Sequence, residues 1–166
     1  TDSIPSSLAY FFLRSPEEDE KGRLGLTTLY QPKSPVSPVA DLVFIHGLGG
    51  GSRKKWSFSF DPDRFWPSWL VTDNKFLDVR LQTFGYNADW SERGQNVFDI
   101  HSFGQLLLSS LPNHPDIRRS TTRIILVGHS MGGCVAKQAY LLARHDPSAK
   151  DFADRIHSLF FLATPH

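Results

Sequence analysis

Strand-like and helix-like stretches alternate along most of this chain. Helical spacing of apolar residues over 97–111, a stretch that Pro112 should end, and over 131–144 predicts two helices. Near-continuous apolar runs predict β-strands before, between and after these helices, at residues 41–45, 78–84, 123–127 and 157–163. Such an alternation is typical of a parallel sheet covered by helices on both faces. The sequence therefore predicts an α/β fold.

The first 38 residues differ from the rest of the chain. An irregular polar segment precedes one predicted strand at 24–30 and a proline-rich linker at 33–38. We therefore predict a division into residues 1–38 and an α/β unit at residues 39–166. The chain begins with Thr1 rather than Met and stops directly after its last apolar run. We expect a fragment of a longer protein, with a sheet that is incomplete at the C-terminus.

Charge and cysteine content argue against several classes of protein. The chain has 18 Lys and Arg residues against 17 Asp and Glu residues, which disfavours nucleic-acid binding through bulk positive charge. A single cysteine, Cys134, excludes an internal disulfide framework and a multi-thiolate metal site. No apolar run reaches the roughly 18 residues of a membrane-spanning helix. We predict no metal, cofactor, nucleic-acid partner or transmembrane segment, and a cytoplasmic location.

The motif with the clearest chemistry is Gly128-His129-Ser130-Met131-Gly132, which fits G-x-S-x-G. We call residues 128–132 the serine turn. It follows a predicted strand and opens a predicted helix, which is the context that a nucleophile elbow requires. Glycines at its two ends let the strand and the helix pass close together, so that the Ser130 hydroxyl projects above the sheet. Ser130 is the candidate nucleophile, and the alternative is a glycine-rich turn with an incidental serine.

A second glycine-rich segment, residues 46–51, follows the first apolar strand of the α/β unit. We call it the glycine loop, and we expect it at the same sheet edge as the serine turn, beyond the carboxyl ends of the strands. Glycines let a backbone N–H group approach a substrate without an intervening side chain. We predict that the amides of Leu48 and Met131 form an oxyanion hole. The alternative is a flexible loop without a chemical role.

The histidines near these motifs are weaker candidates for a general base. His46, followed by Gly47, is predicted to brace the glycine loop by hydrogen bonding. His129 is predicted to pack beside the sheet edge and to point away from the neighbouring serine. His166 is at the correct edge but directly on a strand tip. We do not expect it to be the base, because such triads run Ser, then acid, then His along the chain.

Together, these residues resemble an α/β-hydrolase of the lipase and esterase type. The chain is similar to the N-terminal hydrolase-like domain of fungal NOD-like receptors, in which a NACHT module and repeats follow. It is also similar to the serine-active-site (SERAC1-like) lipase-related proteins. The matching stretches keep the family order and lie at residues 26–30, 41–50, 56, 84–87, 125–137 and 160–166.

The resemblance implies a serine hydrolase that cleaves small-molecule acyl esters or lipids through an acyl-enzyme on Ser130. It implies that Leu48 and Met131 form the oxyanion hole, and that the triad acid and histidine follow residue 163. Residues 39–166 are then the N-terminal portion of an α/β-hydrolase domain in a larger fungal immune-receptor-like protein. We expect little activity from these 166 residues alone. The alternative is a signalling or interaction module that retains the fold without catalysis.

Overall fold

The computed structural model describes residues 22–33, 35–61, 64–88 and 100–165. Within them, one sheet contains the strands β1 (Gly25–Tyr30), β2 (Ala40–Ile45), β3 (Val79–Gly85), β4 (Arg123–His129) and β5 (Ile156–Leu162). The α-helices are α1 (Ile100–Asn113), α2 (Pro115–Arg118), α3 (Met131–His145) and α4 (Lys150–Arg155). The first and last residues of each predicted strand therefore lie within two residues of those of an observed strand. Pro112 does not end α1, which continues to Asn113.

The strand order across the sheet is β1-β3-β2-β4-β5. β2 pairs in parallel with β3 and with β4, and β4 pairs in parallel with β5. The predicted parallel sheet is confirmed for these four strands, whereas β1 adds an antiparallel edge beside β3. Because β2 to β5 run in the same direction, their carboxyl ends meet at one edge. We call this edge the carboxyl edge and the opposite one the amino edge.

Both faces of the sheet are covered, but by different structures. Alternation along β2 places Val43 and Ile45 on one face, where α1, α2 and α3 pack against them. It places Leu42 and Phe44 on the other face. Short 3-10 helices between residues 54 and 76 cover that second face, and Trp56 and Val71 are among their buried residues. Helices are predicted on both faces of the sheet. On the second face they are short 3-10 helices, which have no regular apolar spacing in the sequence.

Candidate active site

The serine turn places Ser130 between the last residue of β4, His129, and the first residue of α3, Met131. Its backbone has φ 54° and ψ −127°, a conformation that residues other than glycine rarely adopt. The Ser130 N–H donates to the carbonyl of Leu162 at 2.8 Å, and the Gly133 N–H donates to the carbonyl of Ser130 at 3.1 Å. Bonds to β5 and to α3 therefore hold the strained residue from two sides.

Two glycines make this turn sterically possible. A Cβ atom at Gly132 would overlap the carbonyl oxygens of Ile45 and His46, which belong to β2 and the glycine loop. A Cβ atom at Gly128 would overlap the backbone of Gly133. The start of α3 can therefore cross the sheet closely only because both positions lack a side chain.

The glycine loop lies directly against the serine turn. A Cβ atom at Gly47 would be 2.8 Å from Ser130 Cβ and 3.2 Å from Ser130 Oγ. The Gly49 N–H donates to the carbonyl of Ala88 at 3.1 Å, which fixes the loop to the segment after β3. Leu48 is half-buried and packs against the core between the sheet and the α-helices. The structure thus brings the two glycine-rich motifs together at the carboxyl edge.

His46 is buried at the start of the glycine loop. Its Nδ1 lies 2.9 Å from the carbonyl oxygen of Gly47, and its Nε2 accepts the N–H of Tyr86 at 3.2 Å. The Tyr86 hydroxyl donates to the carbonyl of His46 at 2.6 Å. These bonds fit the bracing role that we predict for His46.

His129 packs against the second face of the sheet, next to Trp56. Its ring meets Trp56 edge-on, with centroids 6.1 Å apart, and its Nδ1 is buried without a hydrogen-bond partner among the described residues. Burial lowers the pKa of His129, and the positive charge of Lys55 lowers it further. No side chain in the described part of the chain donates to or accepts from Ser130 Oγ. His166, the other histidine considered for the base, lies outside the described residues.

Two further residues at this edge make contacts that were not predicted from the sequence, although the end of the chain at 164–166 was expected at this edge. Thr164 follows β5, donates its hydroxyl to the carbonyl of Gly128 at 3.4 Å, and fills the space where a side chain at Gly133 would lie. Tyr86 follows β3 and contacts His46. One signal was available for both, because each follows a predicted parallel strand and must therefore lie at the carboxyl edge.

This arrangement can stabilise negative charge next to a hydroxyl group. The first N–H groups of α3 have no partner within the helix, and the helix dipole favours an anion at that end. The glycine loop lies beside this helix start, with Gly47 next to the side chain of Ser130. Across the four described ranges, no three His, Cys, Asp or Glu side chains are arranged to hold a metal ion.

Comparison with known proteins places the chain in a family. The sequence profile of the PGAP1-like alpha/beta domain matches residues 39–166. The chain belongs to this family. The chain shares 27% identity over 170 residues with mouse (Mus musculus) Protein SERAC1, covering 89% of this chain and 25% of that protein. For human (Homo sapiens) Protein SERAC1 the identity is 26% over 172 residues, covering 90% and 25%.

The PGAP1-like chain thus spans about a quarter of the length of these curated relatives. Among solved structures it is similar to a lipase-esterase related protein from Clostridium acetobutylicum, with 18% identity and a TM-score of 0.47. That match covers 72% of this chain and 41% of the other. The predicted similarity to SERAC1-like proteins is confirmed, whereas the link to fungal NOD-like receptors stays a prediction. None of the helices described has the length and apolar character needed to span a membrane.

Proposed function

We propose that this chain contributes the nucleophile and the oxyanion hole of a serine hydrolase that cleaves small-molecule carboxylic esters or lipid acyl esters. One observation supports the proposal most strongly. Ser130 stands in a strained conformation between a strand end and a helix start, and the glycine loop contacts its side chain. Stored backbone strain of this kind is concentrated at functional sites.

In the proposed reaction, Ser130 Oγ attacks the ester carbonyl while a histidine takes the hydroxyl proton. The carbonyl oxygen becomes an oxyanion, which accepts hydrogen bonds from the amides of Leu48 and Met131. The histidine then returns the proton to the leaving alcohol, and the acyl group stays on Ser130. A water molecule, deprotonated by the same histidine, attacks the acyl-enzyme and releases the carboxylic acid.

The histidine and its acidic partner are proposed to follow residue 166 in the protein. Two observations support this assignment. No described side chain bonds to Ser130 Oγ, and triads on this fold run Ser, acid, His along the chain. In addition, Phe160 and Leu162 of the edge strand β5 are more than one third exposed, which suits a surface that further segments cover.

The second candidate function is a signalling or interaction module without catalysis. It is favoured by the absence of a base paired with Ser130 in the described residues. The fungal immune-receptor context, the downstream NACHT and repeat domains and the cytoplasmic location belong to the same set of untested predictions. A direct test of Ser130 separates the two functions.

The test uses the full-length protein with a fluorophosphonate probe and p-nitrophenyl esters. We expect the probe to modify Ser130, as located by peptide mass spectrometry, and the esters to be hydrolysed. Ser130→Ala should lower kcat by roughly 10⁴-fold or more, because removal of a triad nucleophile has effects of this size. The circular dichroism spectrum should stay unchanged.

Ser109→Ala is the matched control, because Ser109 is exposed on α1 and bonds only to its own helix. It should keep full activity and full labelling. A full-length protein that neither reacts with the probe nor hydrolyses esters would instead support the signalling module. Equal turnover by Ser130→Ala and the unsubstituted protein would exclude Ser130 as the nucleophile.

A further inference from the structure

We infer that Tyr86 is a positioning residue for catalysis, which orients the Leu48 amide of the glycine loop through His46. This inference rests on the proposed function. Tyr86 directly follows β3 and is 2% exposed. Two of its hydrogen bonds are with one residue, since its N–H donates to His46 Nε2 at 3.2 Å and its hydroxyl donates to the His46 carbonyl at 2.6 Å. The two rings also stack, with centroids 4.3 Å apart.

The bond from the Tyr86 N–H determines which nitrogen of His46 carries a proton. A backbone N–H can only donate, so Nε2 must be the unprotonated acceptor. The ring proton of the neutral imidazole is therefore on Nδ1, which donates to the carbonyl oxygen of Gly47 at 2.9 Å. Tyr86 thus selects the tautomer that can hold the Gly47 carbonyl.

Holding that carbonyl also orients the predicted oxyanion donor. The Gly47 C=O and the Leu48 N–H belong to one planar trans peptide unit, so they point in opposite directions. A hydrogen bond that holds the Gly47 oxygen towards the His46 ring therefore directs the Leu48 N–H away from that ring. A path of hydrogen bonds and one rigid peptide connects Tyr86 with the Leu48 amide.

The Tyr86 hydroxyl also fixes the loop relative to the serine turn. It donates to the His46 carbonyl, whose oxygen lies where a side chain at Gly132 would be. The accepting oxygen is therefore packed against the start of α3, next to Ser130. Two residues after Tyr86, the Ala88 carbonyl accepts the N–H of Gly49 and holds the other side of the loop.

Tyr86 is itself firmly placed. Its ring packs against Phe103 of α1, with centroids 4.5 Å apart, and stacks on Phe84 of β3. Burial raises the pKa of the Tyr86 hydroxyl well above its ordinary value. The group therefore remains protonated, and a donor, at any pH at which ester hydrolysis would be measured.

The experiment compares Tyr86→Phe with the unsubstituted full-length protein. This substitution keeps the ring and the backbone N–H but removes the donor to the His46 carbonyl. Rates are divided by the concentration of reactive serine, titrated with a fluorophosphonate. We expect kcat to fall roughly ten- to hundredfold, because small displacements of a catalytic group have costs of this order. KM should change by less than about twofold, since the hydroxyl does not contact substrate.

Tyr30→Phe is the matched control, because it removes a hydroxyl that donates to the Leu77 carbonyl at 2.9 Å on the exposed surface. Its kcat should be unchanged. An unchanged kcat in Tyr86→Phe, or a change in KM alone, would overturn the inference while leaving the proposed function intact. Loss of the fold would assign the hydroxyl a structural role and would also overturn it. If the unsubstituted protein neither hydrolyses esters nor reacts with the probe, both the proposed function and this inference fail.

Discussion

At the amino edge of the sheet, the buried charges of Asp41 and Arg80 are paired, whereas at the carboxyl edge the strained Ser130 carries a hydroxyl without a described partner. Asp41 of β2 is completely buried and receives two hydrogen bonds from Arg80 of β3, at 2.5 and 3.0 Å. The Thr122 hydroxyl donates to the same carboxylate. Arg80 also donates to the carbonyl of Asp116. The Asp41 carboxylate and the Arg80 guanidinium therefore each have more than one hydrogen-bond partner.

The carboxyl edge departs from this pattern at its centre. Ser130 has a positive φ, its Oγ has no hydrogen bond within the described residues, and glycines keep side chains away from it. The neighbouring residues His46 and Tyr86, by contrast, are hydrogen-bonded to each other. Backbone hydrogen bonds from two sides hold Ser130, while its hydroxyl has no described protein partner.

The difference indicates a division of roles between the two edges. Partnered buried charges stabilise the amino edge, because burying a charge is favourable only when it is paired and hydrogen-bonded. At the carboxyl edge, the surrounding structure holds Ser130 in a strained backbone conformation. Substitutions at the amino edge should therefore change stability, and substitutions at the carboxyl edge should change activity as well.

The largest effect on stability is expected for Asp41→Ala. This change leaves the buried guanidinium of Arg80 without its partner carboxylate, so the free energy of unfolding should fall by about 3–5 kcal/mol. The catalytic rate per folded molecule should be unaffected, because the pair is at the other edge. Urea unfolding of the full-length protein and titration of reactive Ser130 measure the two quantities separately.

Asp154→Ala provides the control for this prediction. Asp154 pairs with Lys150 one turn away on α4, and both side chains are exposed. Its removal should barely change the free energy of unfolding, because exposed ion pairs contribute little. Equal losses in the Asp41 and Asp154 variants would show that burial does not distinguish the two pairs, and the comparison of the edges would fail.

A smaller loss of stability, together with a loss of activity, is expected for Gly132→Ala. The added Cβ would overlap two backbone carbonyls that cannot rotate away, so we expect overpacking to cost about 1–3 kcal/mol. Relief of the overlap would move α3 away from the glycine loop, and kcat should fall because the amides no longer converge beside Ser130. Thermal unfolding and ester hydrolysis measure the two effects.

The matched control is Gly104→Ala in α1. A Cβ at Gly104 would be 2.7 Å from Cγ of Gln138 and no closer than 3.1 Å to the backbone of Ala139, so it would overlap its surroundings less than a Cβ at Gly132 would, and alanine is the better helix former. This variant should therefore lose less stability than Gly132→Ala and keep its kcat. The close crossing at the serine turn would be contradicted if both alanine variants melted at the temperature of the unsubstituted protein.

The strands of the fold could be predicted from the sequence because their signal is local. A run such as 41–45 is apolar and β-branched, and the observed strand is Ala40–Ile45. The pairing of β1 with β3 has no such local signal, and neither does the cover of the second face. Segment 54–76 contributes single buried side chains, such as Trp56, from 3-10 turns that have no apolar period.

The candidate site could be predicted in part for the same reason. The G-x-S-x-G motif and the glycine loop are local patterns. Each directly follows a parallel strand, so the direction of the strands predicts that both lie at the carboxyl edge. Tyr86 and His46 are 40 residues apart, and Asp41 and Arg80 are 39 residues apart. Nothing in a single sequence indicates which distant side chains will meet, so both contacts became visible only in the structure.

The smallest expected effect is a pH dependence of stability at the carboxyl edge. Burial and then Lys55 lower the pKa of His129 from its ordinary value of 6.5. The unfolded chain therefore binds this proton at a higher pH than the folded chain. Stability from His129 is complete above about pH 6.5 and is lost as the pH falls through that value towards the folded-state pKa.

Lys55→Met tests this dependence, because it removes the charge while keeping a long side chain over Gly50. The pKa of His129 should rise part of the way to 6.5, as followed by NMR titration of its ring, and stability should fall less between pH 8 and pH 5. His114 is the internal reference. Burial also lowers its pKa, but the charges acting on it, first Asp116 and then Arg80, lie towards the amino edge. Its titration should not respond to Lys55, so a shift of His114 equal to that of His129 would mean that the two edges are not electrostatically separate.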